Sequence, residues 1–89
     1  MPGKYRVIGK IIKQEGVCSA NHKVGDLFEL GDKTPSGFCA HAFVAIFPFV
    51  MGFQYGSSFP WDREFHKTTL ACPDPDNPLV IELIREIIK

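Results

Sequence analysis

The sequence has no net charge, because ten lysines and arginines balance ten aspartates and glutamates. It therefore lacks the basic excess that favours nucleic acid or an anionic membrane surface, and we expect neither partner. It also lacks an apolar N-terminal segment, since Met-Pro-Gly-Lys is followed by an alternating, strand-like run, so no signal peptide is expected. These absences favour a cytoplasmic protein, and the length fits one domain over residues 1–89.

Cysteines are few, with three in the chain, and no two of them have the C-x-x-C spacing that is a strong signature of metal sites. An odd number of cysteines without secretory context argues against a disulfide framework. We therefore expect reduced thiols.

Charge is absent from residues 38–53, which hold five of the eight phenylalanines. A run that is apolar on all sides is typical of a helix covered all round or lying in lipid, but lipid requires about twenty apolar residues. This run is shorter and contains Pro48, so we predict a helix buried in protein and kinked near that proline. Thr34 is the predicted N-cap and Pro35 the first helical residue. A chain of this size has little core to cover both faces, which predicts a homodimer formed through the helix.

Alternating and β-branched residues predict four strands, over residues 4–14, 27–30, 67–72 and 80–84. Gly9 indicates a bulge or a close backbone approach within the first strand. A helical turn after Ile84 is an alternative end to the last strand. The order β-β-α-β-β defines an α+β fold, with a small antiparallel or mixed sheet and the central helix packed on one face.

The cysteines lie at predicted element boundaries, where a rigid scaffold commonly presents functional groups. If these boundaries converge, they form a Cys3His set, a normal ligand complement for zinc that also suits iron; its members are Cys18, His22, Cys39 and Cys72. The alternative is three unrelated cysteines that act as small buried hydrophobic side chains. A thiol-rich site of this kind predicts a binding module for a metal or a small ligand.

A second hypothesis makes Cys39 the reactive residue of a small enzyme or redox protein. A cysteine in the first turn of a helix is exposed to the helix dipole, which favours the nucleophilic thiolate. His22 would be its base and Asp26 would orient that base, while Cys18 or Cys72 would be the resolving thiol of a redox protein.

The other two histidines are weaker candidates. His41 follows Cys39 by two residues, which turns its side chain by about 200° along a helix and away from a shared ligand. It is predicted to lie at an interface or in the core, and His66 is predicted to be solvated.

Short motifs extend along the chain: G-x-C at 16–18, HKVGD at 22–26, TP-x-G-x-C at 34–39, AF at 42–43, FP at 47–48, FPW at 59–61 and ACPDP-x-NP at 71–78. By these motifs the chain resembles a family of small, uncharacterised bacterial and archaeal proteins of about this length. The resemblance implies that the four candidate ligands belong to the family's pattern, whereas His41 and His66 are less characteristic of it. It also implies a strand over residues 80–83, and it implies no particular reaction.

Overall fold

The computed structural model of the protein describes residues 5–16, 22–73 and 76–87. Its elements, in chain order, are β1 (Tyr5–Gln14), β2 (Leu27–Leu30), α1 (Ala40–Gln54), β3 (Lys67–Ala71) and β4 (Leu79–Ile87). The predicted α+β fold with the order β-β-α-β-β is confirmed. No helix in these three ranges is long and apolar enough to cross a membrane.

The four strands form one antiparallel sheet in the order β2-β1-β4-β3. The long strand β1 is central and pairs with β4 from Tyr5 opposite Ile87 to Gln14 opposite Leu79. β4 continues as a strand past Ile84, so the alternative of a helical turn there is wrong as far as Ile87. The physical reason is that Arg85 continues the row of buried side chains on one face of β4. The alternation of buried and less buried residues that is typical of a strand therefore extends past Ile84.

Gly9 lies at a close approach between β1 and β2. A Cβ atom built on Gly9 would lie 2.8 Å from Cδ1 of Leu30, too close without a shift of that side chain. The irregularity in the β1–β4 pairing lies elsewhere, between Ile11 and Lys13. Of the two roles predicted for Gly9, the close approach is therefore the one observed.

Helix α1 begins five residues later than predicted, with Cys39 rather than Thr34 as its N-cap. Gly37 has a φ of 77°, a left-handed conformation that a right-handed helix starting at Pro35 could not contain. The prediction of Thr34 and Pro35 as the helix start is therefore wrong. Pro48 lies inside the helix, and the kink there stays a prediction.

The core lies between one face of the sheet and one face of α1. The buried apolar positions of the helix are Ala42, Ile46, Val50 and Phe53, at most 1% exposed. They pack on buried side chains from three strands, namely Val7, Ile11, Leu30, Leu79, Ile81 and Leu83. Burying each larger aliphatic or aromatic side chain contributes about 1.5–3 kcal/mol before chain entropy is subtracted, so this contact fixes the helix across the sheet.

Arg85 packs against the C-terminal end of α1. Its side chain is 1% exposed, and Nη1 donates hydrogen bonds to the carbonyl oxygens of Phe53 at 3.0 Å and Ser57 at 2.8 Å. Its Cζ atom lies 4.0 Å from the ring centroid of Phe53 and 3.9 Å from that of Phe65. Burial lowers the pKa of Arg85. The cation lies where helix carbonyls carry partial negative charge, so it joins β4 to the helix end.

Candidate functional site

Two of the element boundaries that were predicted to carry cysteines are the end of β1, which precedes Cys18, and the end of β3, which precedes Cys72. Both lie at the same end of the sheet, which we call the thiol end. It is the end at which β1 and β3 finish and β4 begins. Cys72 follows β3 there, and its amide donates to the carbonyl of Leu79 at 2.9 Å. The loop that precedes β2 reaches the same end, where Ile11 donates to the carbonyl of Asp26 at 2.9 Å.

His22 joins this loop to the start of α1. Its Nε2 accepts a hydrogen bond from the backbone amide of Cys39 at 2.8 Å. The imidazole is buried, and its ring centroid lies 5.1 Å from that of Phe28 and 5.3 Å from that of Phe38. An acceptor at Nε2 places the proton of the neutral ring on Nδ1. The sequence prediction that brings His22 and Cys39 together therefore describes a real contact, made through the backbone of Cys39.

Asp26 lies on the other side of the imidazole. Its Oδ2 is 3.9 Å from Nδ1 of His22, which is longer than a hydrogen bond. The same oxygen accepts the amide hydrogen of Lys23 at 2.9 Å, so its close contact is to the turn that shapes the loop. Cys39, His22 and Asp26 follow one another in the order that base assistance of a thiol requires. The lone pair on Nε2, however, is directed at the backbone amide of Cys39.

Cys39 is the half-buried N-cap of α1, and its own side chain makes no capping hydrogen bond. The first turn of the helix contains no acidic residue. Its amide hydrogens and its partial positive charge are therefore available to an anionic group near Cys39.

Cys72 has a defined hydrogen-bonding environment. The backbone amide of Leu79 donates to its Sγ at 3.2 Å, and the Cys72 thiol donates to the carbonyl oxygen of Asn77 at 3.9 Å. The side chain is half-buried against the core. An amide hydrogen directed at sulfur stabilises negative charge on it, as hydrogen bonds to thiolates do in metal centres.

Cys18 lies outside the described residues, so the predicted four-ligand set stays a prediction. Its three described members, His22, Cys39 and Cys72, are not gathered into a group that could hold a metal ion. The described residues on either side of Cys18 are held at the thiol end. Glu15 donates its amide hydrogen to the carbonyl of Pro78 at 2.9 Å, and Gly16, with a φ of 71°, abuts the side chain of Asn77 so closely that no Cβ would fit. Within the described ranges, no three side chains of histidine, cysteine, aspartate or glutamate are grouped to hold a metal ion.

The remaining histidines lie apart from these contacts. His41 is exposed on α1, which is compatible with the predicted interface and not with the predicted core position, and His66 is exposed, as predicted. Sequence reasoning missed the amide of Leu79 as a partner of Cys72. The only signal in the sequence was the turn-forming composition of residues 73–78, which returns the chain beside Cys72.

Comparisons of the chain with protein-family models, with curated proteins and with solved structures found no match. The family resemblance carried by the short motifs therefore stays a prediction, and the function is argued from the geometry of the thiol end.

Proposed function

We propose that the protein is a binding module that holds a thiophilic metal ion, zinc or iron, at the thiol end of the sheet. The ligands are Cys18, Cys39 and Cys72, with His22 as the fourth. The observation that carries the proposal is the amide of Leu79, which donates to Sγ of Cys72 at 3.2 Å. A backbone donor aimed at sulfur suits a thiolate, and thiolates are the form in which cysteines bind metals.

The path of the chain supports a meeting of the cysteines. Cys18 follows Gly16 by two residues and precedes His22 by four. Gly16 contacts the turn after Cys72, and His22 contacts the amide of Cys39. The segment that carries Cys18 thus starts beside one of the other cysteines and ends beside the other.

His22 has two incompatible uses at this site. Its Nε2 lone pair accepts the Cys39 amide at 2.8 Å, and a nitrogen that binds a metal must give up that bond. Binding therefore exchanges a helix-capping contact for a metal bond, and it frees the amide of Cys39 to donate to a thiolate.

Anaerobically purified protein is expected to take up about one Zn²⁺ or Fe²⁺ per chain, because four ligands saturate a tetrahedral site. Titration with Co²⁺ should produce thiolate-to-cobalt charge-transfer absorption. Cys72→Ser should remove most of this absorption, whereas His66→Ala, which changes an exposed histidine outside the site, should leave it intact. Failure of the wild-type protein to bind any of these ions would reject the metal site.

A second candidate function is favoured by the position of Cys39 at the start of α1, where its side chain makes no capping hydrogen bond. In this alternative, Cys39 is a nucleophile or redox thiol assisted by His22 and Asp26. Iodoacetamide labelling of metal-free protein across a pH series separates the two functions. The binding module predicts that Cys39 reacts no faster than a free cysteine, while faster labelling that disappears in His22→Gln supports the enzyme.

We also propose that the protein is a dimer formed through the outer helix face, which consists of Val44, Pro48 and Met51 of α1 and its C-cap Tyr55. These residues follow helical spacing and point away from the sheet, with Val44 75%, Met51 46% and Tyr55 44% exposed. The described helix contains no charged side chain apart from titratable His41. A contiguous apolar stripe is typical of a surface that is covered by a partner.

Val44→Glu is expected to shift the protein from dimer to monomer in sedimentation velocity, because it places a charge within the apolar contact, at a residue that is 75% exposed. Val24→Glu is the matched control, since Val24 is 64% exposed in the loop before β2. The control should sediment as the wild type does. A wild-type protein that is monomeric at high concentration would contradict this assignment.

A further inference from the structure

A cleft of about 610 Å³ opens at the end of the sheet opposite the thiol end. Its apolar walls come from Tyr5 and Val7 of β1, Leu30 of β2 and Pro35 of the connection to α1, and the helix contributes Gln54. The helix, 15 residues long, separates this cleft from Cys39 by about 20 Å. A volume of this size is within the range of small-molecule sites, about 300–1,000 Å³.

Gln54 is a fixed polar group on the wall of the cleft. Its side chain is 7% exposed, and Nε2 donates to Oδ1 of Asp32 at 3.1 Å. The amide lies beside Gly31, where a Cβ would be in ordinary van der Waals contact with Nε2 at 3.5 Å. The hydrogen bond sets which end of the amide is the donor, and it orients Asp32 at the same time.

Two acceptor atoms in the cleft have no donor within the described part of the chain. Oε1 of Gln54 and Oδ2 of Asp32 have no hydrogen-bond partner among the described residues, and Asp32 has no ion-pair partner there. Asp32 is exposed, and its unused oxygen lies beside the unused, solvent-accessible amide oxygen of Gln54. Two neighbouring acceptors of this kind suit a ligand that brings N–H donors and positive charge.

The other carboxylate of the cleft is already neutralised. Glu29 pairs with Arg6 at 3.1 Å and accepts a second hydrogen bond from the same guanidinium at 3.5 Å. This hydrogen bond raises the pKa of Arg6. The cleft is therefore lined by two carboxylates and two cations. Glu29 is paired with Arg6, whereas Asp32 and Lys33 form no ion pair with each other among the described residues.

We propose that this cleft binds a small organic cation, an amine with an aryl or alkyl body. The body lies on Tyr5, Leu30 and Pro35, and the ammonium group donates to Oδ2 of Asp32 and Oε1 of Gln54. This site is separate from the proposed metal site, and neither depends on the other.

Titration of ¹⁵N-labelled protein with benzylamine tests the assignment, with benzyl alcohol and benzoate as neutral and anionic probes of similar size. Benzylamine is expected to bind with a Kd of about 1 mM, the scale for so small a ligand. It should shift the signals of Tyr5, Leu30 and the side-chain amide of Gln54, and benzoate should shift none of them. Equal binding of benzoate, or shifts confined to other regions, would overturn the proposal.

The two carboxylates provide a matched pair of variants. Asp32→Asn retains an acceptor for Gln54 and removes the open charge, so it should weaken benzylamine about fivefold, the effect of one charged hydrogen bond in a solvent-accessible site. Glu29→Gln removes the same charge from a paired position and should weaken benzylamine less than twofold. Unchanged affinity in folded Asp32→Asn, or an equal loss in both variants, would overturn the role of Asp32. If Asp32→Asn does not fold, the wild-type shifts of the Gln54 amide decide the question.

Discussion

Arg85→Ala is expected to lower the free energy of unfolding by about 4 kcal/mol, the scale for removing a buried charged partner and leaving a cavity. A domain of this size has about 5–10 kcal/mol in total, so the variant should be largely unfolded at moderate urea concentrations. Urea denaturation followed by circular dichroism measures this loss directly.

Three losses add up in this variant. Two charge-assisted hydrogen bonds disappear, from Nη1 to the carbonyls of Phe53 and Ser57. The stacking of the guanidinium between the rings of Phe53 and Phe65, at 4.0 and 3.9 Å from their centroids, disappears as well. The carbonyl of Phe53 keeps a donor, the amide of Gly56 at 3.2 Å, so the carbonyl of Ser57 is the group left in need of a partner.

One consequence of replacing Arg85 is stabilising, because two of its N–H-bearing nitrogens are unpaired within the described part of the chain. Nε and Nη2 of Arg85 are buried without a hydrogen-bond partner among the described residues, which costs about 1–3 kcal/mol per group. Arg85→Met removes this cost and fills most of the space, so it should destabilise the protein by about 2 kcal/mol, less than alanine does. Arg6→Ala, at an exposed position on β1, is the control and should have a much smaller effect.

Arg85→Met as stable as the wild type would contradict the account, because the unpaired N–H groups would then outweigh the carbonyl and ring contacts. The loss of stability in Arg85→Ala should also be independent of pH near neutrality. Burial lowers the pKa of Arg85, so the folded state binds its proton less tightly and any stability change appears only in strongly alkaline solution. Arginine stays charged in folded and unfolded protein from about pH 5 to pH 9, and the loss in Arg85→Ala should be constant there.

Arg85 also marks the limit of prediction from the sequence for this fold. Alternation and β-branching located the four strands to within a few residues, because those patterns follow from burying one face of a sheet. The same reasoning treats an arginine near the end of a strand as solvated. Its burial depends on the carbonyls of residues 53 and 57, which lie 32 and 28 positions away, and no local pattern reports a partner at that distance.

The start of α1 was predicted incorrectly for a related reason. Thr34-Pro35 is a good local start signal, but Gly37 adopts a left-handed conformation and the helix begins after Cys39. His22 provides the acceptor at that position from a loop 17 residues earlier. The sequence could therefore suggest that Cys39 and His22 meet, and it could not indicate that they meet through the backbone amide.

His22→Phe is expected to lower the free energy of unfolding by about 2 kcal/mol, because the Cys39 amide loses its acceptor while the ring volume is retained. His22→Gln carries an oxygen close to the position of Nε2 and should lose less than half as much. The specific readout is hydrogen exchange of the Cys39 amide, which should accelerate in the phenylalanine variant and stay slow in the glutamine variant. Equal protection in both would show that the 2.8 Å contact does not hold the helix start.

The same two variants decide what His22 does when a metal binds. As a ligand, His22 must release the Cys39 amide, so the metal-free and metal-bound proteins use Nε2 in different ways. Glutamine replaces the first use and is a poor zinc ligand, so His22→Gln should keep the metal-free stability and weaken zinc binding at least about tenfold. His22→Phe should lose both stability in the metal-free protein and affinity for zinc. If His22→Gln binds zinc as tightly as the wild type, His22 only anchors the helix, and the metal must be held by the cysteines and a ligand from elsewhere.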